Sequence, residues 1–271
     1  MKKIKNSYFK KVLFLTFFML FFSIFLSKSS IFEEKDVKIF TFYENEQPFK
    51  NGEHLKYKIS YGKAHKKSGV LLAGHAEFTL NEFMTHDSIL AYEINGFGKS
   101  TKFFSLFMHV KHSYRSVLNQ LSLNTIESSM DIVEGKYKNQ HQVTCNEDST
   151  LKNGNINDIL GAFYKLRATQ SSQMANNDTI FFSYYYNEDI YHSHFIKIAE
   201  EVIDTKFGKI NTIKCAPLLE KGRMFKQEYG AFVWVTADEM YIPVKLEIPI
   251  LVGSIYVTLT KYKNTRFNIK E

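Results

Sequence analysis

From Glu53 to Tyr61, in EHLKYKISY, an apolar residue stands at every second position (Leu55, Tyr57, Ile59, Tyr61) with polar residues between them. Side chains of a strand project alternately to its two faces, so this pattern makes one face apolar and leaves the other wet. The turn pair Asn51-Gly52 precedes it. Related patterns, rich in β-branched and aromatic residues, return at 70–80, 88–94, 179–186 and 191–203. Near the C-terminus, VWVTADEMYIPVKLEIPILVGSIYVTLTKYK reads as two strands meeting at an acidic turn, TADE, and a third from Ser254 to Tyr262 after Gly253. Short strands at close spacing predict a mainly β fold, an antiparallel curved sheet or open barrel.

One segment obeys a different period. In NINDILGAFYKLRA, Ile156, Ile159, Leu160 and Phe163 recur at helical spacing, which predicts one helix covering the sheet at about 156–167, capped by Asn155 or Asn157. Asp158 near its start and Lys165 and Arg167 near its end suit the helix dipole. A second, short helix is expected around 101–108.

The N-terminus has its own logic. Lys2, Lys3, Lys5, Lys10 and Lys11 precede the uncharged run VLFLTFFMLFFSIFL at 12–26. A spanning helix needs about 20 apolar residues, so this run suits the core of a cleaved secretory signal better than an anchor. We expect 1–30 to be a signal peptide, with the mature N-terminus between Ser27 and Phe32. No cysteine precedes Cys145, which excludes lipid attachment at a processed N-terminus. With proline only at positions 48, 217, 243 and 249 and no Gly/Ser linker, 31–271 reads as a single mainly β domain.

This partition changes the meaning of the charge. The formal +7 includes six lysines and no acid in the first thirty residues; without them 29 basic residues face 28 acidic ones. The excess belongs to the export signal, and a nucleic-acid partner loses its electrostatic basis.

Four strings invite a chemical reading. GFGKST at Gly96 to Thr101 ends like a phosphate-binding loop, but Glu93 stands where that motif needs its first glycine, so a glycine-rich loop after a strand is the better expectation. His192 and His194, two apart on a strand, would share a face and could chelate zinc or copper if His109, His112, Glu188 or Asp189 completed the site. Surface histidines are the simpler reading, and no metal or other cofactor is assigned. Cys145 and Cys215, two cysteines in an exported chain, are disulfide candidates rather than nucleophiles. Asp238 and Glu239, adjacent, would point to opposite faces of a strand and cannot act as a paired acid and base. No catalytic residue is assigned.

The segments PFKNGEHLKYKISYG, SGVLLAGHAEFTL, DILGAFYKLR, FGKINTIKCAPLL and VWVTADEMYIPVKLEIPILVGSI occur in this order. Together they resemble the exported bacterial family filed as domain of unknown function 3108, over most of residues 48–263. The resemblance implies an envelope protein with a predominantly β fold and assigns no catalytic residue. That fold in turn resembles the open, curved sheet of bacterial lipoprotein carriers.

Outside the signal, 34 of the 42 aromatic residues remain, enough to fill a core or to line an apolar cavity. The expectation is an exported, periplasmic, non-enzymatic protein of the cell envelope that binds a lipid-like ligand or an envelope partner, with peripheral membrane contact. Its pocket would be lined by Tyr57, Ile59, Trp234 and Leu246 from strands and by Ile159, Leu160 and Phe163 from a lid-like helix. The alternatives are a metal-dependent envelope hydrolase using His192 and His194, and a purely structural envelope scaffold.

Overall fold

A computed structural model describes residues 47–63, 70–144, 156–169, 174–186, 189–217, 230–250 and 253–266. The expected signal at 1–30 lies outside the described residues, as do Cys145, Asn155 and Glu188. Among the described residues one sheet is formed by β1 (Glu53–Gly62), β2 (Leu71–Met84), β3 (Leu90–Ser100), β4 (Val110–Asn119), β5 (Thr125–Glu134), β6 (Tyr137–Thr144), β7 (Asn157–Asp158), β8 (Thr179–Tyr186), β9 (Asp189–Thr205), β10 (Gly208–Pro217), β11 (Phe232–Thr236), β12 (Pro243–Pro249) and β13 (Ser254–Lys263). Two helices interrupt the run, α1 (Lys102–Ser105) and α2 (Ile159–Arg167).

The order across the sheet is β6-β5-β4-β3-β2-β1-β13-β12-β11-β10-β9-β8-β7. All neighbours are antiparallel except β7 beside β8. The first and last long strands therefore pair centrally, with Tyr57 opposite Leu259 and Ile59 opposite Val257. So many twisted strands cannot stay flat. Register shifts at Lys56/Tyr57, Ile59/Ser60, Val117/Leu118, Lys214/Cys215 and Trp234/Val235 add local curvature. The sheet curls until its two ends meet. Thr125 Oγ1 donates to Asp158 Oδ1 at 2.8 Å, Asn157 Nδ2 donates to the Leu123 carbonyl at 2.6 Å, and the Tyr185 hydroxyl lies 3.4 Å from His141 Nε2. Side chains, rather than a backbone ladder, join these ends, so the barrel is curved but open as the alternation predicts.

Two expectations are corrected. The helix begins at Ile159, and its cap is Asp158, whose carboxylate accepts from the Leu160 and Gly161 amides; Asn157 instead lies in β7 and spans to Leu123. GFGKST is the end of a strand, β3, not a loop. A Cβ on Gly96 would stand 3.1 Å from the Phe78 ring, so glycine lets that ring lie against the backbone. Strands β4 and β5 depart from the alternation rule because polar residues occupy some of their inward positions, His112, Ser116 and Ser128 among them. The short helix at 101–108 is present as α1, capped by Thr101 Oγ1, which accepts from the Phe104 amide.

Candidate functional site

The inside of the barrel is the first place to seek a site, and α2 occupies it. Asp158 stands at the seam between the sheet ends, where Ser116 Oγ donates to it at 2.5 Å, and this fixes the start of the helix. Burial pushes its carboxyl above the usual carboxylate range, and the four hydrogen bonds from Ser116, Thr125, Leu160 and Gly161 oppose the shift. Phe163 lies 5.8 Å, centroid to centroid, from Phe78 on β2, and Phe49 sits edge-on to Tyr164 and Tyr92 at 5.2 and 5.3 Å. Leu160 reaches within 3.7 Å of where a Gly96 Cβ would stand. The helix is thus in contact with the concave face.

Cross-strand register then sorts the residues expected to line a pocket. Tyr57, Ile59 and Leu246 share the inner face with Val257 and Leu259, and Ile159, Leu160 and Phe163 pack onto the same core. All are 7% exposed or less. Trp234, equally buried at 5% exposure, differs in the face it takes. It stands opposite Lys245 and Lys214, on the face opposite to Leu246, with the two ammonium groups 4.3 and 5.1 Å from its ring and its Nε1 donating to Glu201 Oε1. One residue of register separates the two faces.

Two buried polar clusters were not foreseen. Glu53, Arg167, Tyr164 and Tyr57 form one: Arg167 makes a two-point ion pair with Glu53, donates from Nε to the Met240 carbonyl, and lies over the rings of Tyr164 and Phe49. Burial drives the Tyr57 and Tyr164 hydroxyls well above the ordinary tyrosine range. The second lies where β4 and β5 approach β8. His112 Nε2 is 3.0 Å from Glu134 Oε1 with both side chains buried, and Tyr114 and Tyr186 exchange a hydrogen bond beside them. No local signal marked it, because a polar His112 at an inward position interrupts the apolar alternation of β4.

The histidine pair takes a different position from His112. Ser183 Oγ is 2.7 Å from His192 Nδ1, and His194 packs its ring 5.4 Å from Phe181, where burial lowers its pKa. His112, proposed as a completing ligand, faces the interior with Glu134 instead. Among the described residues no group of three or more His, Cys, Asp or Glu side chains is arranged to hold a metal ion. Cys215 on β10 carries a free thiol, half-buried, with its pKa pushed up to about 12 by burial. TADE is a structural turn: Asp238 Oδ1 accepts from Thr236 Oγ1 and the Met240 amide, and Thr236 Oγ1 accepts from the Ile242 amide.

Outside, a polar cleft of about 400 Å³ crosses β4, β5 and β6 between Arg115, Asp131, Gln140 and Gln142. Arg115 is already held there by Glu93 at 2.7 Å and Glu127 at 2.9 Å. One rim of the barrel gathers exposed apolar residues. Val70, Leu71 and Leu72 at the start of β2, and Phe103, Leu106 and Phe107 on and after α1, are all exposed. Two hydrogen bonds hold the groups together: the Thr101 amide donates to the Ala73 carbonyl at 2.8 Å and Thr101 Oγ1 to the Leu72 carbonyl at 3.3 Å. Contiguous exposed apolar residues mark a candidate interaction surface.

A mainly β, nearly closed barrel with a plugging helix and an apolar rim defines the class. The model for the family described as "Protein of unknown function (DUF3108)" matches residues 56–260, and the chain belongs to that family. No curated protein matches it significantly. Among solved structures it is similar to a β-barrel-like protein of domain of unknown function DUF1849 from Brucella abortus, at 7% identity over 82% of this chain and 100% of that one, with a TM-score of 0.43.

Proposed function

We propose that this chain is an exported, non-enzymatic protein of the cell envelope that acts as a rigid scaffold, through its outer surface rather than through a ligand held inside. The observation that carries this reading is the contact of α2 with the concave face, where Phe163 lies on Phe78 and Leu160 and Tyr164 are fully buried. A lipid carrier needs a cavity of roughly 300 Å³ or more, and the contact of α2 with the concave face puts protein side chains where such a ligand would lie. The lysine-rich start followed by the uncharged run at 12–26 supports export.

Protein recovered from the envelope of the producing cell and extracted with organic solvent should release no stoichiometric lipid, and its N-terminus should fall between Ser27 and Phe32. Saturable binding of a fluorescent fatty acid, weakened by Phe163→Trp, would return the interior to the role of a carrier pocket. Intact Met1 on the envelope-derived protein would replace the cleaved signal with an anchor.

A further inference from the structure

Resting on the scaffold reading, we propose that the α1 rim is a docking surface for an anionic lipid bilayer, with Phe103, Leu106 and Phe107 entering the interface and a line of basic side chains meeting the headgroups. The line comes from strand register. Lys111 on β4 stands opposite Lys99 on β3, Lys99 opposite His75 on β2, and His75 opposite Lys58 on β1. Residues opposite one another share a face, so these four form one row across four strands, and all but half-buried Lys58 are exposed. Like charges placed directly opposite destabilise a sheet. Within β1 to β5 the first carboxylates on this face, Glu77 and Asp131, stand one residue pair farther from the rim, and Glu77 is engaged by Lys56 at 3.0 Å and His54 at 3.3 Å; Glu247, on the same face two strands away on β12, lies 3.7 Å from Lys245. The row's positive charge therefore faces solvent without an acidic partner beside it, and an external anionic surface would supply one.

Its spacing from the apolar tips fits a bilayer. Leu72 precedes His75 by three residues, about 10 Å of strand. An interfacial element buries its apolar side roughly 5–10 Å into the headgroup and acyl boundary, which leaves groups at that height among the phosphates. Phe103 and Phe107, with rings 5.6 Å apart, form an aromatic pair at the tip, and Lys102 beside them is exposed. The opposite rim also exposes apolar residues, Met84, Leu90 and Leu121, but it carries Glu82 and Asp87 and lacks the basic row. Charge therefore selects the α1 rim for an anionic surface.

The test places an environment-sensitive fluorophore on the full chain at Leu106→Cys, with Cys145→Ser and Cys215→Ser removing the native thiols. Phosphatidylcholine vesicles with and without phosphatidylglycerol would carry a quencher on their acyl chains. Quenching reports position 106 itself, so membrane attachment by residues 12–26 does not produce it. The proposal expects quenching that requires phosphatidylglycerol, none for the same label at Leu121→Cys, and a docked-to-undocked ratio about fivefold lower for each of Lys99→Gln and Lys111→Gln. A label at position 106 that stays in water on phosphatidylglycerol vesicles overturns it. So does equal quenching on phosphatidylcholine alone, or equal quenching of both labels. Lipid found inside the barrel would refute the scaffold reading without moving any of these results.

Discussion

Arg167 and Glu53, 114 positions apart, meet inside the barrel as a two-point ion pair, Nη1 to Oε1 at 2.7 Å and Nη2 to Oε2 at 2.9 Å, with side chains 2% and 0% exposed. The pair joins the last turn of α2 to the first residue of β1. Arg167 further donates to the Met240 carbonyl in the turn between β11 and β12, so three distant segments converge on one guanidinium. Arginine suits this position because its planar fork matches a carboxylate and its face stacks on the rings of Tyr164 and Phe49.

Removing one partner of a buried pair leaves the other charge stranded, at a cost of about 3–5 kcal/mol. Glu53→Gln is expected to lower the stability to guanidinium unfolding by that order. The double variant Glu53→Met with Arg167→Met should lose less than the single change, since no charge is then left buried. Additive losses in the double-mutant cycle would show that the two residues act independently.

Gly161, in the first turn of α2, reverses the usual rule for glycine in helices. In an exposed helix Gly→Ala gains about 1 kcal/mol. Here a Cβ would stand 2.7 Å from Thr125 Oγ1, 2.8 Å from Asp158 Oδ1 and 2.9 Å from Leu118 Cδ2. Gly161→Ala is therefore expected to destabilise by about 1–3 kcal/mol, because the helix must lift from the seam. A rise in melting temperature would show that α2 is not pressed against β4 and β5.

His194 gives the fold a pH dependence of definite sign. Burial lowers its pKa below the unfolded value of about 6.5, so the unfolded chain takes up its proton first as pH falls. Its contribution is fully present above about pH 6.5 and is lost as pH drops through the lowered folded value. Replacing it by an uncharged residue, His194→Gln, should flatten the stability profile between neutral pH and about pH 5 when melting temperatures are compared. A wild-type curve that rises on acidification in this window would contradict the burial of the ring.

The mainly β character, the helix near 156–167 and the acidic turn at 236–239 were legible because each rests on local periodicity or local hydrogen bonds: Ile159, Leu160 and Phe163 declare a helix, and Asp238 ties its own loop. What local pattern determines poorly is register. Trp234 and Leu246 are apolar residues on neighbouring strands, and only the pairing of Trp234 with Lys245 shows that they face opposite ways. Inward His112 and Ser116 broke the alternation that would have announced β4, because their partners, Glu134 and Asp158, come from elsewhere in the chain. The same is true of the basic row. Lys58, His75, Lys99 and Lys111 are unremarkable lysines and a histidine in sequence, and they become one line of charge only when four strands align. Periodicity is a property of the chain, decided by side chains projecting at fixed angles from a regular backbone. Which faces meet, and which charges end up adjacent, is decided by pairing between distant strands, and that exists only once the sheet has closed on its helix.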